Sequence, residues 1–131
     1  MSLASNFRGT LFFRVHELAC LQTKCDPYVK LSVSGGRDSK TSRRNNCRDS
    51  AHFDEETSVS LNGSEDWLQV EVWDWDRLSS DDLVATSGRV PIAQVIQLWT
   101  GSDRGDVWIN LRKDGSEDPV KLRATVRFER S

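Results

Sequence analysis

No stretch of this sequence approaches the roughly 20 consecutive apolar residues that a membrane-spanning helix needs. Its first residues show no basic stretch followed by an apolar core, so no secretory leader is expected. Cysteine is scarce and odd in number. Cys20, Cys25 and Cys47 form neither a CxxC pair nor a zinc-ligand spacing, so reduced thiols in a cytoplasmic protein are expected rather than a disulfide framework. There is no internal repeat and no low-complexity segment. Neither sign of charge dominates: 18 Lys and Arg stand against 20 Asp and Glu, a net of -2, which gives no argument for a nucleic-acid partner. The two histidines, His16 and His52, have no nucleophile beside them, and no Gly-rich phosphate loop occurs, so no enzyme is expected. His16 reads as a strand residue.

What is present suits one globular domain. The 131 residues are 37% apolar and 29% charged, with five Trp and five Phe to bury. A chain of this size buries roughly two-thirds of its unfolded surface and needs no staples. Residues 1–8 are read as a lead-in or cloning scar and 9–131 as the domain.

Short alternating runs recur between Gly, Asn, Asp and Ser. Strands are expected at 10–16, at 28–33, at 39–44 as an exposed edge, and at 57–61. Others are expected at 67–73, 83–90, 107–111 and 120–128. Val29, Leu31 and Val33 share one face, as do Leu68, Val70 and Val72, and Leu122, Ala124, Val126 and Phe128. Gly35-Gly36 and Asn62-Gly63 are expected turns, the second a hairpin. Only 91–99 has helical spacing, with Pro91 in its first turn and Ile92, Val95, Ile96 and Trp99 on one side. Seven or eight short strands with almost no helix predict an all-β, antiparallel sandwich. Trp67, Trp73 and Trp75 would face lipid, a partner or a neighbouring element.

The chemistry concentrates in Trp73-Asp74-Trp75-Asp76-Arg77-Leu78-Ser79-Ser80-Asp81-Asp82-Leu83, four acids in nine residues at a strand end. They repel one another unless something neutralises them. Calcium takes six to eight oxygens, often from several carboxylates. A solvated acidic turn reads equally well from this loop alone.

A second stretch, Lys24-Cys25-Asp26-Pro27-Tyr28-Val29-Lys30-Leu31, resembles the Asp-Pro-Tyr-Val-Lys segment of C2 domains, the calcium and lipid modules of protein kinase C and synaptotagmin. The later loop is similar to the same family's Asp-x-Asp pair followed six residues on by another Asp: Asp74, Asp76 and Asp82. Ser50-Ala51-His52-Phe53-Asp54-Glu55 and Trp108-Ile109-Asn110-Leu111 also resemble family segments, so the likeness covers nearly the whole chain. It implies an eight-stranded C2-like sandwich. The position of 120–128 implies the circularly permuted (type II) form, with that strand beside the first.

The resemblance also implies a site. Family calcium ligands fall on Asp26, Asp74, Asp76 and Asp82; the fifth position is Cys20, in a loop about two residues short. A neutral thiol is a poor calcium donor, so Asp81 or a backbone carbonyl is a candidate to compensate. Leu21 and Leu78 occupy the loop tips where the family places bilayer-entering side chains, with Arg77 placed to meet anionic headgroups. For Leu21, packing within the loop is the equal alternative. Lys40, Arg43 and Arg44, with Arg48 nearby, resemble the polybasic strand that touches phosphoinositides, or else a solvated edge. The function implied is a calcium-dependent phospholipid-docking module. The alternative is a calcium-independent C2 domain serving protein interaction or constitutive lipid binding. Calcium is the implied cofactor. An anionic phospholipid membrane is the implied partner, with a protein as a further one and no nucleic acid. The implied state is a monomer, cytoplasmic and peripheral at membranes.

Overall fold

The computed structural model describes residues 7–101, 105–113 and 115–131. Among the described residues, eight strands form two antiparallel four-stranded sheets. The strands are β1 Arg8–Ala19, β2 Pro27–Val33, β3 Asp38–Lys40, β4 Ser50–Asn62, β5 Trp67–Asp74, β6 Asp82–Pro91, β7 Val107–Leu111 and β8 Val120–Arg130. One sheet runs β4-β1-β8-β7 and the other β3-β2-β5-β6.

The period-two faces do what their spacing predicts. Val29, Leu31 and Val33 of β2, Leu68, Val70 and Val72 of β5, and Leu122, Ala124 and Val126 of β8 are all buried between the sheets. Leu11, Phe13 and Val15 join them from β1, and then the phase changes. His16 is an extra residue of β1 relative to β8, so Leu18 rather than Glu17 turns inward. Burying a side chain of this class contributes about 1.5–3 kcal/mol, which makes this seam the main source of stability.

The last strand pairs with β1 over its whole length, from Gly9 opposite Arg130 to Ala19 opposite Lys121. The expected lead-in is corrected at its end. Phe7 packs edge-on against Phe128 with centroids 5.8 Å apart, and Ser131 N–H donates to the Arg8 carbonyl. Both Phe7 and Arg8 therefore belong to the sandwich, while residues 1–6 lie outside the described residues.

Three further expectations are corrected. The edge strand expected over 39–44 stops at Lys40, because Thr41 Oγ1 accepts the Val29 N–H and Arg44 N–H reaches the Pro27 carbonyl, replacing a regular ladder. The strand expected at 57–61 begins at Ser50; a bulge with Asp54 at φ 51° lets its polar first half stay paired with β1. Asn62-Gly63 makes no hairpin. The chain crosses there from one sheet to the other, and the buried Glu65 carboxylate accepts the Asn62 and Gly63 N–H groups. The helix expected over 91–99 is present, as α1 Ile92–Gln94 followed by a π-helical turn over Val95–Trp99, with Pro91 as the preceding cap residue. Ile92 and Val95 are buried there, and Trp99 packs edge-on against Phe13.

Strand register fixes which loops meet. Ala19 lies opposite Ser50, Pro27 opposite Asp74, and Asp74 opposite Asp82. The connections 20–26, 41–49 and 75–81 therefore gather at one end of the sandwich.

Candidate functional site

The loop end is held together by its own carboxylates. Asp26 N–H donates to Asp74 Oδ1 at 2.9 Å, and Asp26 Oδ1 accepts the Asn46 N–H at 2.6 Å. Trp75 N–H donates to the Asp26 carbonyl. Asp26 is thus the junction of all three connections. With Asp74, Asp76, Lys24, Asn46 and Arg77 it lines an open hollow of about 310 Å³.

Asp76 closes its own turn: Oδ1 accepts the Leu78 N–H at 2.8 Å and Oδ2 accepts the Ser79 hydroxyl at 2.8 Å. The Leu78 N–H first, then the Ser79 hydroxyl, hold its carboxyl below the usual carboxylate range. Asp82 stands on the neighbouring rung, opposite Asp74 at the start of β6.

The candidate role of Asp81 is corrected. Its Oδ2 accepts the Tyr28 hydroxyl at 2.6 Å and its Oδ1 accepts the Asp76 N–H at 2.9 Å, so it fastens the 75–81 loop to β2 rather than lining the hollow. The Tyr28 bond, then the Asp76 N–H, lowers the Asp81 pKa. Burial, then the bond to Asp81, pushes the Tyr28 hydroxyl up to about 12.

Calcium fits this donor set in kind and only partly in arrangement. Carboxylate and amide oxygens are hard donors, and Asp26 and Asp74 use only Oδ1 in the bonds above. Among the described residues, however, no group of three or more His, Cys, Asp or Glu side chains is positioned to hold a metal ion. Lys24 and Arg77 share the hollow, and Cys20 is exposed with φ 64° where the family resemblance implies a fifth carboxylate.

The two loop-tip leucines part company. Leu78 is 91% exposed. Leu21 is 5% exposed, buried in the core as its N–H donates to the Asp49 carbonyl, which corrects its expected bilayer contact to packing within the loop.

The basic residues also separate. Lys40 and Arg43 line an open cleft of about 470 Å³ with Tyr28, Asn45, Trp75 and Asp81. Arg43 stacks 3.6 Å from the Trp75 ring centroid, and the Lys40 ammonium lies 5.3 Å from that of Tyr28. Arg44 is corrected to a structural role. Its guanidinium donates to the His52 and Phe53 carbonyls and pairs with Glu55 at 3.2 Å. Nothing in the composition of Thr41-Ser42-Arg43-Arg44 distinguishes the two arginines; only the folded partners do. Trp75 was legible as an aromatic at the site, but not as the floor of a basic cleft. Trp67 is covered by Arg89, and the Trp73 indole N–H is buried without an acceptor among the described residues.

Cys25, which lines the hollow, and Cys47 pair as an isolated antiparallel bridge. Burial first, then Asp74, raises the Cys25 thiol to about 11, and burial raises that of Cys47.

Among the described residues no helix is long and apolar enough to cross a membrane. No curated protein sequence matches the chain significantly. The fold is similar to a C2 domain of plant Extended Synaptotagmin 1, at TM-score 0.74 and 18% identity, covering 96% of this chain and 98% of that one. It is also similar to a C2 domain-containing protein from a putative elicitor-responsive gene, at TM-score 0.71 and 21% identity, covering 100% and 96%. A calcium-bound two-domain fragment of Extended-Synaptotagmin 2 matches at TM-score 0.70 and 18% identity, covering 95% of this chain and 46% of that one. The family profile of the C2 domain matches residues 9–111, which span β1 to β7 and all three loops of the hollow. Sandwich, loop end and profile agree, and the chain belongs to the C2 domain family.

Proposed function

We propose that this domain docks on anionic phospholipid membranes through the loop end, with calcium bound there as the trigger. The reading rests on one juxtaposition: Leu78, 91% exposed, projects from the same turn whose Asp76 lines the hollow with Asp26 and Asp74. An isolated exposed leucine means little. One placed at the outer tip of a carboxylate-lined end can enter the acyl boundary once the acidic charge beneath it is neutralised. A bound calcium ion supplies that neutralising charge. Asp26, Asp74, Asp76 and Asp82 would hold it, and Arg77 would meet headgroup phosphates. Lys40 and Arg43, over Tyr28 and Trp75, form the basic cleft proposed to take a phosphoinositide headgroup. The domain would act as a monomeric binding module without catalysis, peripheral at cytoplasmic membrane surfaces.

A second reading is favoured by Lys24 and Arg77 inside the hollow and by Cys20 beyond it. Two resident cations already offset part of the carboxylate charge. The domain would then bind lipid constitutively, or a protein partner, without calcium.

Co-sedimentation with phosphatidylserine-containing vesicles, in calcium and in chelator, separates these readings. Pelleting only with calcium supports the first. Equal pelleting in both supports constitutive lipid binding. No pelleting in either overturns membrane docking.

A further inference from the structure

Cys25 precedes Asp26, and Cys47 follows Asn46, the residue whose N–H holds the Asp26 carboxylate. The two cysteines exchange both backbone hydrogen bonds, Cys25 N–H to the Cys47 carbonyl at 2.9 Å and Cys47 N–H to the Cys25 carbonyl at 2.8 Å. A reciprocally bonded antiparallel pair places its Cα atoms about 5.5 Å apart with both side chains on one face. That separation lies inside the roughly 4.4–6.8 Å that a disulfide spans. Both thiols are free. Cys25 is buried and Cys47 half-buried, its Sγ turned toward the Asn45 carbonyl at 3.7 Å.

We propose that Cys25 and Cys47 are a modification site: a dithiol that a low-molecular-weight disulfide such as glutathione disulfide converts to a cross-strand disulfide, pinning the Asp26 loop to the Asn46 loop. The more accessible Cys47 reacts first. Its thiolate attacks one sulfur of glutathione disulfide, that S–S bond breaks, and one glutathione leaves as the thiolate. The Cys25 thiolate then attacks the Cys47 sulfur of the mixed disulfide and expels the second glutathione. Two protein thiols are oxidised and one disulfide is reduced. The two protons lost by the protein end on the two glutathione thiolates. The cross-link closes the segment 25–47, which contains β2 and β3, and makes the Asp26–Asn46 clamp permanent. The site is independent of whether calcium or lipid binds.

The test uses the whole 131-residue chain, first reduced and then equilibrated with mixtures of reduced and oxidised glutathione. The expected intact mass falls by two hydrogens. Trypsin then releases Cys25–Lys30 joined to Asn45–Arg48, with Cys20 outside the cross-link in Val15–Lys24. Oxidation should raise the melting temperature by several degrees, and reductant should reverse the rise. Cys47→Ser, checked for folding by circular dichroism, should abolish the cross-link and the thermal shift, whereas Cys20→Ser should change neither. Arrest at a glutathione adduct on Cys47, a cross-link through Cys20, or a cross-link that lowers the melting temperature would overturn the proposal.

Discussion

The Tyr28 hydroxyl donates to Asp81 Oδ2 at 2.6 Å, joining β2 to the loop that carries Asp76 and Leu78. Tyr28 sits one residue past the Asp-Pro step of β2, and Asp81 one residue before β6. The bond therefore spans the mouth of the loop and sets the pose in which Leu78 projects.

Tyr28→Phe is expected to lower the melting temperature by a few degrees and to loosen the 75–81 loop while leaving the sandwich intact. The pH dependence follows from the shifts. The Asp81 pKa is lowered in the fold, so its contribution is full above the ordinary carboxylate range and is lost as pH falls through the folded value. The Tyr28 pKa is raised from 10.0 to about 12, so its contribution is full below the ordinary value and is lost as pH rises toward 12. The gap in melting temperature between wild type and Tyr28→Phe should be widest near neutrality and shrink at both extremes. A gap that persists unchanged in strong acid would show that the bond to ionised Asp81 is not its source.

The two loop leucines should respond in opposite ways. Leu78→Ala removes an exposed side chain, so stability should change by less than about 0.5 kcal/mol, while affinity for anionic vesicles should fall about tenfold. Leu21→Ala leaves a cavity and should cost about 2–5 kcal/mol of stability, with vesicle affinity unchanged in the fraction that stays folded. Urea unfolding and vesicle titration of both variants check the pair; equal effects on vesicle binding would remove the distinction.

The arginines of the basic stretch make a similar contrast. Lys40→Ala with Arg43→Ala should weaken binding to phosphoinositide vesicles and flatten its salt dependence, because each cation near an anionic leaflet is worth about 1 kcal/mol. Trp75 fluorescence should change as Arg43 leaves its face. Arg44→Ala should instead lower thermal stability, since it removes the donors to the His52 and Phe53 carbonyls and the ion pair with Glu55. Binding across a salt series that is identical for wild type and the double variant would show the cleft to be an ordinary solvated edge.

What was legible in the sequence was whatever is written locally. Leu68, Val70 and Val72 alternate because one face of β5 is buried, so strand, face and sheet class could all be read from them. Asp74 and Asp76 were legible as neighbours in one hollow because strand and turn are consecutive there. Three of the misreadings share one cause, a partner remote in sequence. Thr41 answers the Val29 N–H with its hydroxyl rather than its carbonyl, and Asp81 faces Tyr28 rather than the hollow. Ser50–Glu56 carries little apolar signal of its own, yet it is held as a strand by pairing with β1 across a bulge. Asn62-Gly63 has the composition of a hairpin turn, but the buried Glu65 carboxylate redirects it between sheets. The change from α to π geometry after Gln94 keeps Ile92 and Val95 on the buried side, so a 3.6-residue pattern could not reveal it.

The calcium trigger is tested at Asp74 and Cys20 together. Asp74 Oδ1 accepts the Asp26 N–H, and an asparagine keeps a carbonyl oxygen able to accept that bond. Asp74→Asn should therefore preserve the fold while removing one negative charge from the hollow. If the carboxylates bind calcium, millimolar calcium should raise the melting temperature of the wild type by mass action, and this variant should lose the rise. Cys20 adopts φ 64°, a left-handed backbone that aspartate visits more readily than most residues. Cys20→Asp should thus be tolerated where it stands, and it replaces a soft thiol with a hard oxygen donor. The expected outcome is a larger calcium-induced rise than in wild type, reached at lower calcium. If the wild type shifts with calcium and Cys20→Asp does not improve on it, the short 20–26 loop directs this side chain away from the hollow. If calcium moves the melting temperature of neither protein, Lys24 and Arg77 already serve as the charge partners of Asp26, Asp74 and Asp76, and the calcium-independent reading takes its place.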